Sequence, residues 1–225
     1  VFSVGADLSA PGAHTIRVAA TAPLDADGSN DTTTQEVYNF ASQTLPLPTV
    51  TFTGYNGGNL NSISPNWLEA RGDSTPTDFF ISLWNINNPT QQTFLGSEAA
   101  EINLFTTSRN EWLLGPRVIP GPQDILRFDA AITTFAGTGS SDMGSDDSVR
   151  VMVSTDCGVS WTPVLVFDTL NQPGNGFSSY VVPLAPFAGQ PTLIAFYATD
   201  GPNDDPEDYD FHVDNIQFID LSQVD

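Results

Sequence analysis

Carboxylates carry the most evident chemistry in this sequence. The run DGPNDDPEDYDFHVDN places Asp200, Asp204, Asp205, Glu207, Asp208, Asp210 and Asp214 on one loop and the strand after it. The run SSDMGSDDS adds Asp142, Asp146 and Asp147, and DADGSND adds Asp25, Asp27, Asn30 and Asp31. Calcium takes about six to eight oxygen ligands, several of them carboxylates held on loops. A structural Ca2+ is therefore the expected cofactor, with ligands among Asp214, Asp200, Asp204, Asp205, Asp208, Asp210, Asp146 and Asp147. Asp214 stands apart because it lies within a strand, beside Val213 and Ile216, where an unpaired carboxylate is costly. The alternative for each loop is a solvated acidic surface. Two carboxylates can also hydrolyse a glycosidic bond. With 27 acidic residues, however, counting singles out no particular pair.

The stretch STDCGVSW, Ser154 to Trp161, has the Ser-x-Asp-x-Gly-x-x-Trp pattern known as an Asp-box. A tight turn leaves backbone N–H groups that need acceptors, and Asp156 is placed to supply one in the manner of an Asx-turn. Gly158 provides a positive φ, Ser154 caps the turn from the other side, and Trp161 lays its ring beneath it. The hairpin itself needs each of these residues, so no substrate is required to explain them. Sialidases carry the motif in several copies, together with an arginine cluster for the substrate carboxylate. This chain has one copy and six dispersed arginines. The box marks a hairpin and not a catalytic site.

Other reactive side chains are sparse. His14 and His212 are far apart in sequence and do not suggest a catalytic pair or a zinc site. Cys157 is expected to be a small buried filler, since no motif supplies it with a base. Being alone, it also excludes an internal disulfide and a cysteine-based zinc site. Trp67, Trp84, Trp112, Trp161, Tyr55, Tyr180, Tyr197 and Tyr209 are expected to be mostly core. One that was exposed near the acidic loops would stack on a sugar.

A formal net charge of -21, with no lysine, repels nucleic acid and anionic membrane. No segment approaches the length of apolar chain that spans a bilayer. The lack of lysine fits a secreted or cell-surface setting. The chain starts at Val1 without a recognisable leader, as a piece of a longer protein would.

These residues must be positioned by strands. Residues 1–40 read as a β-hairpin, HTIRVAATA and TTTQEVYNF joined by an acidic loop, with the character of the end of an Ig-like module. Residues 41–49, with their spaced prolines, read as a linker. From Val50 to about residue 221 roughly ten short runs alternate and are bounded by Gly, Pro or Asn, with no convincing helical period. In DSVRVMVST, Val149, Val151 and Val153 face one way and Arg150, Met152 and Ser154 the other. The expected fold is all-β, a two-sheet antiparallel jelly-roll sandwich preceded by an Ig-like hairpin.

In order, FTGYNGGNLNSISPNWLEA, EWLLGPRV, ILRFDAA, VRVMVSTDCGVSWTPV, VPLAPFAGQPTLIAFYA and DFHVDNIQF resemble the successive strands of cleaved-adhesin and choice-of-anchor J domains, relatives of the MAM domain. The segments DLSAPGAHTIRV and DADGSNDT resemble the last strands of CARDB modules, which precede such domains in secreted Bacteroidetes proteins. The resemblance implies a calcium-stabilised jelly roll serving adhesion or glycan binding, or accompanying a protease. Some members carry a DxDGDG loop after the first tryptophan; EARGDSTPTDF stands there instead.

The expected function is that of a non-catalytic extracellular module of a larger secreted protein, binding a glycan or protein on a cell surface. Its partners would include neighbouring domains of the same chain or neighbouring subunits of a surface fibre, and neither nucleic acid nor membrane. The alternatives are a spacer in a surface filament, an accessory domain of a secreted protease or glycan-active enzyme, and a calcium-dependent glycan hydrolase or lyase. A cleft with convergent carboxylates would favour the enzyme, an aromatic platform the binding module, and a featureless surface the spacer.

Overall fold

The computed structural model describes residues 5–20, 27, 29 and 31–223. They fall into two compact units, Val1–Ala41 and Ser42–Asp225. In the first, β1 (Gly12–Ala19) and β2 (Thr32–Asn39) pair antiparallel from Gly12↔Asn39 to Ala19↔Thr32. Exposure alternates along β1, as its sequence alternates. The Asn39 side chain donates to the carbonyls of Leu8 and Ser9, both at 2.9 Å, and so holds the entering chain. Asp25 and Asn30 of the hairpin loop lie outside the described residues; Asp27 accepts the Ser29 N–H at 3.1 Å, and the Asp31 carbonyl accepts the Ala20 N–H at 2.8 Å.

The second unit runs β3 (Ser42–Gln43), α1 (Leu60–Ile63), β4 (Leu68–Arg71), β5 (Asp78–Phe79), β6 (Asn85–Ile86), α2 (Pro89–Leu95), β7 (Ala100–Leu104) and β8 (Asn110–Val118). It continues with β9 (Asp124–Thr134), β10 (Ser148–Ser154), β11 (Thr162–Phe167), β12 (Ser178–Pro183), β13 (Thr192–Thr199) and β14 (Tyr209–Asp220). One sheet has the order β11-β10-β13-β8-β4-β5, with β3 added beside β8; the other has the order β12-β9-β14-β7-β6. Pairing is antiparallel except for the two residues of β3. The fold is the expected all-β, two-sheet antiparallel sandwich.

The two sheets meet through aromatic side chains. Phe128 of β9 and Phe196 of β13 stand edge to face with ring centres 4.9 Å apart, and Phe167 of β11 meets Phe211 of β14 at 5.3 Å. Val149, Val151 and Val153 face this core, as their alternation requires. In β14 the inward residues are Tyr209, Phe211 and Val213, which turns Asp210, His212 and Asp214 to the other face of the sheet.

That outer face is covered by α2, whose start and stop are written locally. Asn88 caps it by accepting the N–H groups of Thr90 and Gln91, Pro89 occupies its first turn, and Gly96 ends it at φ +78°. Residues 41–49, expected as an extended linker, make contacts of their own with the second unit. Ser42 and Gln43 pair with Arg117 and Val118, and Leu45 and Leu47 pack on the core, because apolar side chains between prolines gain by burial.

Replacing Phe128 removes a ring shared by three aromatic neighbours, Phe167, Tyr180 and Phe196. Phe128→Ala is expected to lower the unfolding free energy by about 3–5 kcal/mol in urea titration. A loss below about 1 kcal/mol would show that the sheets do not depend on this contact.

Candidate functional site

The β10–β11 hairpin is built as the Asp-box requires. Asp156 Oδ1 accepts the Ser160 N–H at 2.9 Å and the Ser154 hydroxyl at 2.8 Å, and Asp156 Oδ2 accepts the Ser160 hydroxyl at 2.6 Å. These bonds hold the Asp156 carboxyl low, at about 2. Ser154 Oγ accepts the Gly158 N–H at 2.8 Å, and Gly158 takes φ +87°. Cys157 departs from expectation: it is exposed and itself adopts φ +63°. The turn needs two successive left-handed residues, which pushes the thiol outward.

Trp161, at the foot of this hairpin, donates its indole N–H to the Gly158 carbonyl at 3.2 Å. Its ring lies 5.2 Å from that of the buried Trp112, which in turn lies 4.4 Å from Tyr197. Tyr197 is fixed by its hydroxyl, 2.6 Å from Asn110 Oδ1. The Arg150 guanidinium stands 6.0 Å over the Tyr197 ring, and its Nε donates to Ser148 Oγ at 2.9 Å. Trp161, Tyr197 and Arg150, with Asp73, Ser74, Met152 and Asp146, line an open cleft of about 370 Å³ on the outer face of the larger sheet. The alternation in β10 explains the arrangement, since it sends valines inward and Arg150 and Met152 into the cleft.

At one end of the cleft lies an acidic cluster. Single carboxylate oxygens of Asp146, Asp147 and Asp205 lie within 4.8 Å of one another. Asp147 is 5% exposed and accepts the Tyr209 hydroxyl at 2.7 Å and the Gly144 N–H at 3.2 Å. Burial, with help from Asp200 and Asp146, lifts its carboxyl to about 6 despite those bonds. Asp146 Oδ2 accepts the backbone and side-chain N–H groups of Asn203 at 3.1 and 2.9 Å; its Oδ1 is buried without a hydrogen-bond partner. Two glycines permit the crowding. A Cβ on Gly144 would lie 2.7 Å from Asp147 Oδ2 and 2.9 Å from Asp205 Oδ2, and one on Gly201, at φ +61°, only 2.4 Å from Asp146 Cγ. An all-oxygen donor set of this charge suits a hard divalent cation.

The other expected ligands lie elsewhere. Asp200 is 1% exposed and accepts the Arg109 N–H at 2.7 Å and the Thr106 hydroxyl at 3.2 Å. Asp204 is exposed, Asp208 accepts from Asn103 Nδ2 at 2.8 Å, and Asp142 accepts from Gln172 Nε2 at 2.8 Å. Asp214 is fully buried, as its setting requires, but its partners are the Ser97 hydroxyl at 2.5 Å and the Asn215 N–H at 2.7 Å. Burial lifts it to about 6. Of these candidates Asp146, Asp147 and Asp205 gather, while Asp210 and Asp214 lie on the outward face of β14, opposite the core-facing Tyr209, Phe211 and Val213.

Sequence reasoning passed over two buried groups. Glu69 is 2% exposed and accepts four bonds, from the Tyr55 and Ser82 hydroxyls and the Gly58 and Leu60 N–H groups, so it organises the 54–60 loop. The second lies under α2. Gln91, Thr133, Asp210 and His212 are all 0% exposed. Gln91 Nε2 donates to Thr133 Oγ1 at 3.0 Å and to Asp210 Oδ2 at 2.7 Å, and Thr133 Oγ1 lies 3.0 Å from His212 Nε2. Glu101 Oε2 lies 3.9 Å from His212 Nδ1. Burial first, then the charge of Asp210, raises Glu101 to about 8; burial lowers His212 to about 3 and raises Asp210. A polar residue at every second position of β14, opposite Glu101 and Thr133, was the available signal.

The fold is a two-sheet β-sandwich with an open cleft at the foot of the Asp-box hairpin. No family model matches the chain, and no curated protein matches it, so the resemblance to choice-of-anchor J, MAM and CARDB modules stays one of sequence segments. Among solved structures, the chain is similar to the K2 cleaved adhesin domain of Lys-gingipain (18% identity, 77% of this chain and 97% of that one, TM-score 0.47). It is also similar to the K1 cleaved adhesin domain of Lys-gingipain from Porphyromonas gingivalis W83 (12%, 78% and 98%, TM-score 0.48). A third is a carbohydrate-binding module from the β-sandwich superfamily, described for its promiscuous specificity (12%, 94% and 75%, TM-score 0.46).

The buried acids set the pH response. Asp147, Asp214 and Glu101 are held protonated in the fold above their ordinary values of 3.8, 3.8 and 4.5, to about 6, 6 and 8. Their contribution to stability is complete below the ordinary values and is lost as pH rises through the raised ones. Between pH 6 and 8 Glu101 is expected to continue that decline. Urea titrations at stepped pH should show it, and Glu101→Gln should flatten that interval. An unchanged slope in the variant would remove Glu101 as its source.

Proposed function

We propose that this chain is a non-catalytic glycan-binding module of an extracellular or cell-surface protein, with its site in the Trp161 cleft and a structural calcium at Asp146, Asp147 and Asp205. The observation that carries the reading is the partly exposed Trp161, propped on Trp112 and Tyr197 and flanked by Arg150, Asp73 and Ser74. Sugar rings present C–H faces that pack on an aromatic ring and hydroxyl edges that pair with charged and amide groups. The cleft offers both at once. Asp146 is tied to Asn203 and joined to the acidic cluster, which leaves Asp73 as the cleft's other carboxylate. Hydrolysis of a glycosidic bond uses two carboxylates at the scissile bond, so binding fits this cleft better than catalysis.

Calcium has a physical role here. Three carboxylates within 4.8 Å repel one another in a chain of net charge -21, and the unpaired Asp146 Oδ1 gains a partner when a cation enters. Asp146 then fixes the cleft wall, and the Gly201 and Asn203 backbone moves with it.

Two measurements test this. On a panel of soluble oligosaccharides, the chain should bind at least one, and Trp161→Ala should weaken it by at least about tenfold, the effect of about 1.4 kcal/mol. Absence of any binding, or an unaltered affinity in the variant, overturns the cleft assignment. Separately, millimolar calcium should raise Tm beyond sodium chloride of matched ionic strength, the shift corresponding to about 2.7 kcal/mol of unfolding free energy at a hundredfold excess over Kd. Asp205→Asn should reduce that difference. Equal shifts in both salts would make the cluster an ordinary solvated surface.

A further inference from the structure

We propose that Thr133 and Gln91 react with each other once the chain has folded, forming an ester between Thr133 Oγ1 and Gln91 Cδ, releasing one ammonia and tying α2 covalently to β9. The inference is independent of the glycan-binding reading. It starts from a network that is unusual for mere packing. Buried polar atoms are nearly always paired, yet five buried side-chain atoms among the described residues have no hydrogen-bond partner, and three of them, on Glu101, Asp210 and His212, lie in this one network. A hydroxyl, an imidazole and a carboxyl in this order form the array that activates a nucleophile: Thr133 Oγ1 is 3.0 Å from His212 Nε2, and His212 Nδ1 is 3.9 Å from Glu101 Oε2. The reacting groups, Gln91, Thr133 and His212, are at 0% exposure, so no external substrate can reach them. The acyl group within reach is the Gln91 carboxamide, whose nitrogen is 3.0 Å from the hydroxyl.

The surroundings of that amide match what acyl transfer needs. Gln91 Oε1 accepts two N–H donors, the Asn88 backbone at 3.2 Å and Asn88 Nδ2 at 2.5 Å. The pair that closes the helix cap thus doubles as a cradle for an oxyanion. Gln91 Nε2, the leaving nitrogen, is held by Asp210 Oδ2 at 2.7 Å, and Asp210 is itself fixed by the Ala136 N–H at 2.7 Å. The hydroxyl approaches the amide at its nitrogen edge and has to shift by on the order of 1 Å to reach the face of the carbon. Hydrogen bonds of such arrays tighten on the way to the transition state.

In the step, Thr133 Oγ1 passes its proton to His212 Nε2 and uses a lone pair to form the O–C bond, while the C=O π pair moves onto Oε1. When the carbonyl reforms, the C–N bond pair leaves with the nitrogen. That nitrogen takes the proton from His212 and departs as NH3. One hydroxyl and one carboxamide become one ester and one ammonia; nothing is oxidised or reduced, and no co-reactant is needed. Burial keeps the imidazole neutral, with a lone pair on Nε2 to accept the proton, and Glu101 Oε2 lies 3.9 Å from its other nitrogen. Escape of ammonia to dilute solution draws the exchange forward, and exclusion of water protects the product from hydrolysis. The bond would close a loop across 42 residues, restricting the unfolded chain much as a disulfide does.

Mass spectrometry decides it. The chain has no lysine, so cleavage after arginine places Gln91 in residues 72–109 and Thr133 in residues 128–150. From denatured wild-type protein these two peptides should appear joined, lighter by one ammonia than their sum, and hydroxylamine should part them. Thr133→Ala should show the full intact mass and separate peptides, and so should His212→Ala. Two separate wild-type peptides of unaltered mass overturn the proposal, whether or not any variant folds. So does an ammonia loss located at Asn56 or Asn175, each followed by glycine and able to form a succinimide; these lie in residues 18–71 and 151–225.

Discussion

The last strand, Tyr209–Asp220, sets the condition that the rest of the second unit has to meet. It pairs with β7 on one side and β9 on the other, and from Tyr209 to Asp214 the residues of both its faces are buried. Its inward face completes the aromatic core with Tyr209, Phe211 and Val213, while its outward face carries Asp210, His212 and Asp214, all at 0% exposure. Ionisable groups removed from water are costly unless partnered. The parts that cover them follow from that cost. Ser97 reaches Asp214, Gln91 reaches Asp210 and Thr133, and the backbone of Ala136 turns its N–H to Asp210.

The same strand links this polar layer to the acidic cluster. The Tyr209 ring lies in the core and its hydroxyl donates to Asp147. Asp147 in turn stands beside Asp146 and Asp205, and Asp146 lines the Trp161 cleft. The core, the acidic cluster and the cleft are therefore joined through named contacts. The Asp-box hairpin adds the remaining wall: its hydrogen bonds are spent within the turn, and its tryptophan lines the cleft.

The chain is strongly acidic, yet its informative acids are the few that are buried or crowded. Exposed Asp204 and Asp208 and the solvated loops contribute charge and solubility. Asp147, Asp210, Asp214, Glu69 and Glu101 carry structure, since each is enclosed by donors or by other acids. Composition alone could not sort these two groups, because burial and not residue type distinguishes them.

Much of the fold was legible in the sequence, because a strand declares its two faces every second residue. Val149, Val151 and Val153 face the core and Arg150 and Met152 the opposite side, as read, and the Asp-box hairpin has the bonds its residues require. The seating of residues 42–49 on β8 was not legible, since a proline-spaced segment reads alike whether free or docked. Nor was the division of the acids, in which Asp146, Asp147 and Asp205 gather while Asp210 and Asp214 face the other side of a sheet. The Thr133, His212 and Gln91 constellation was invisible for the same reason. Its members lie 42 and 79 residues apart along the chain, and local pattern fixes which face a side chain takes but not which strand will lie opposite. Strand order decided that, through the pairing of β14 between β7 and β9.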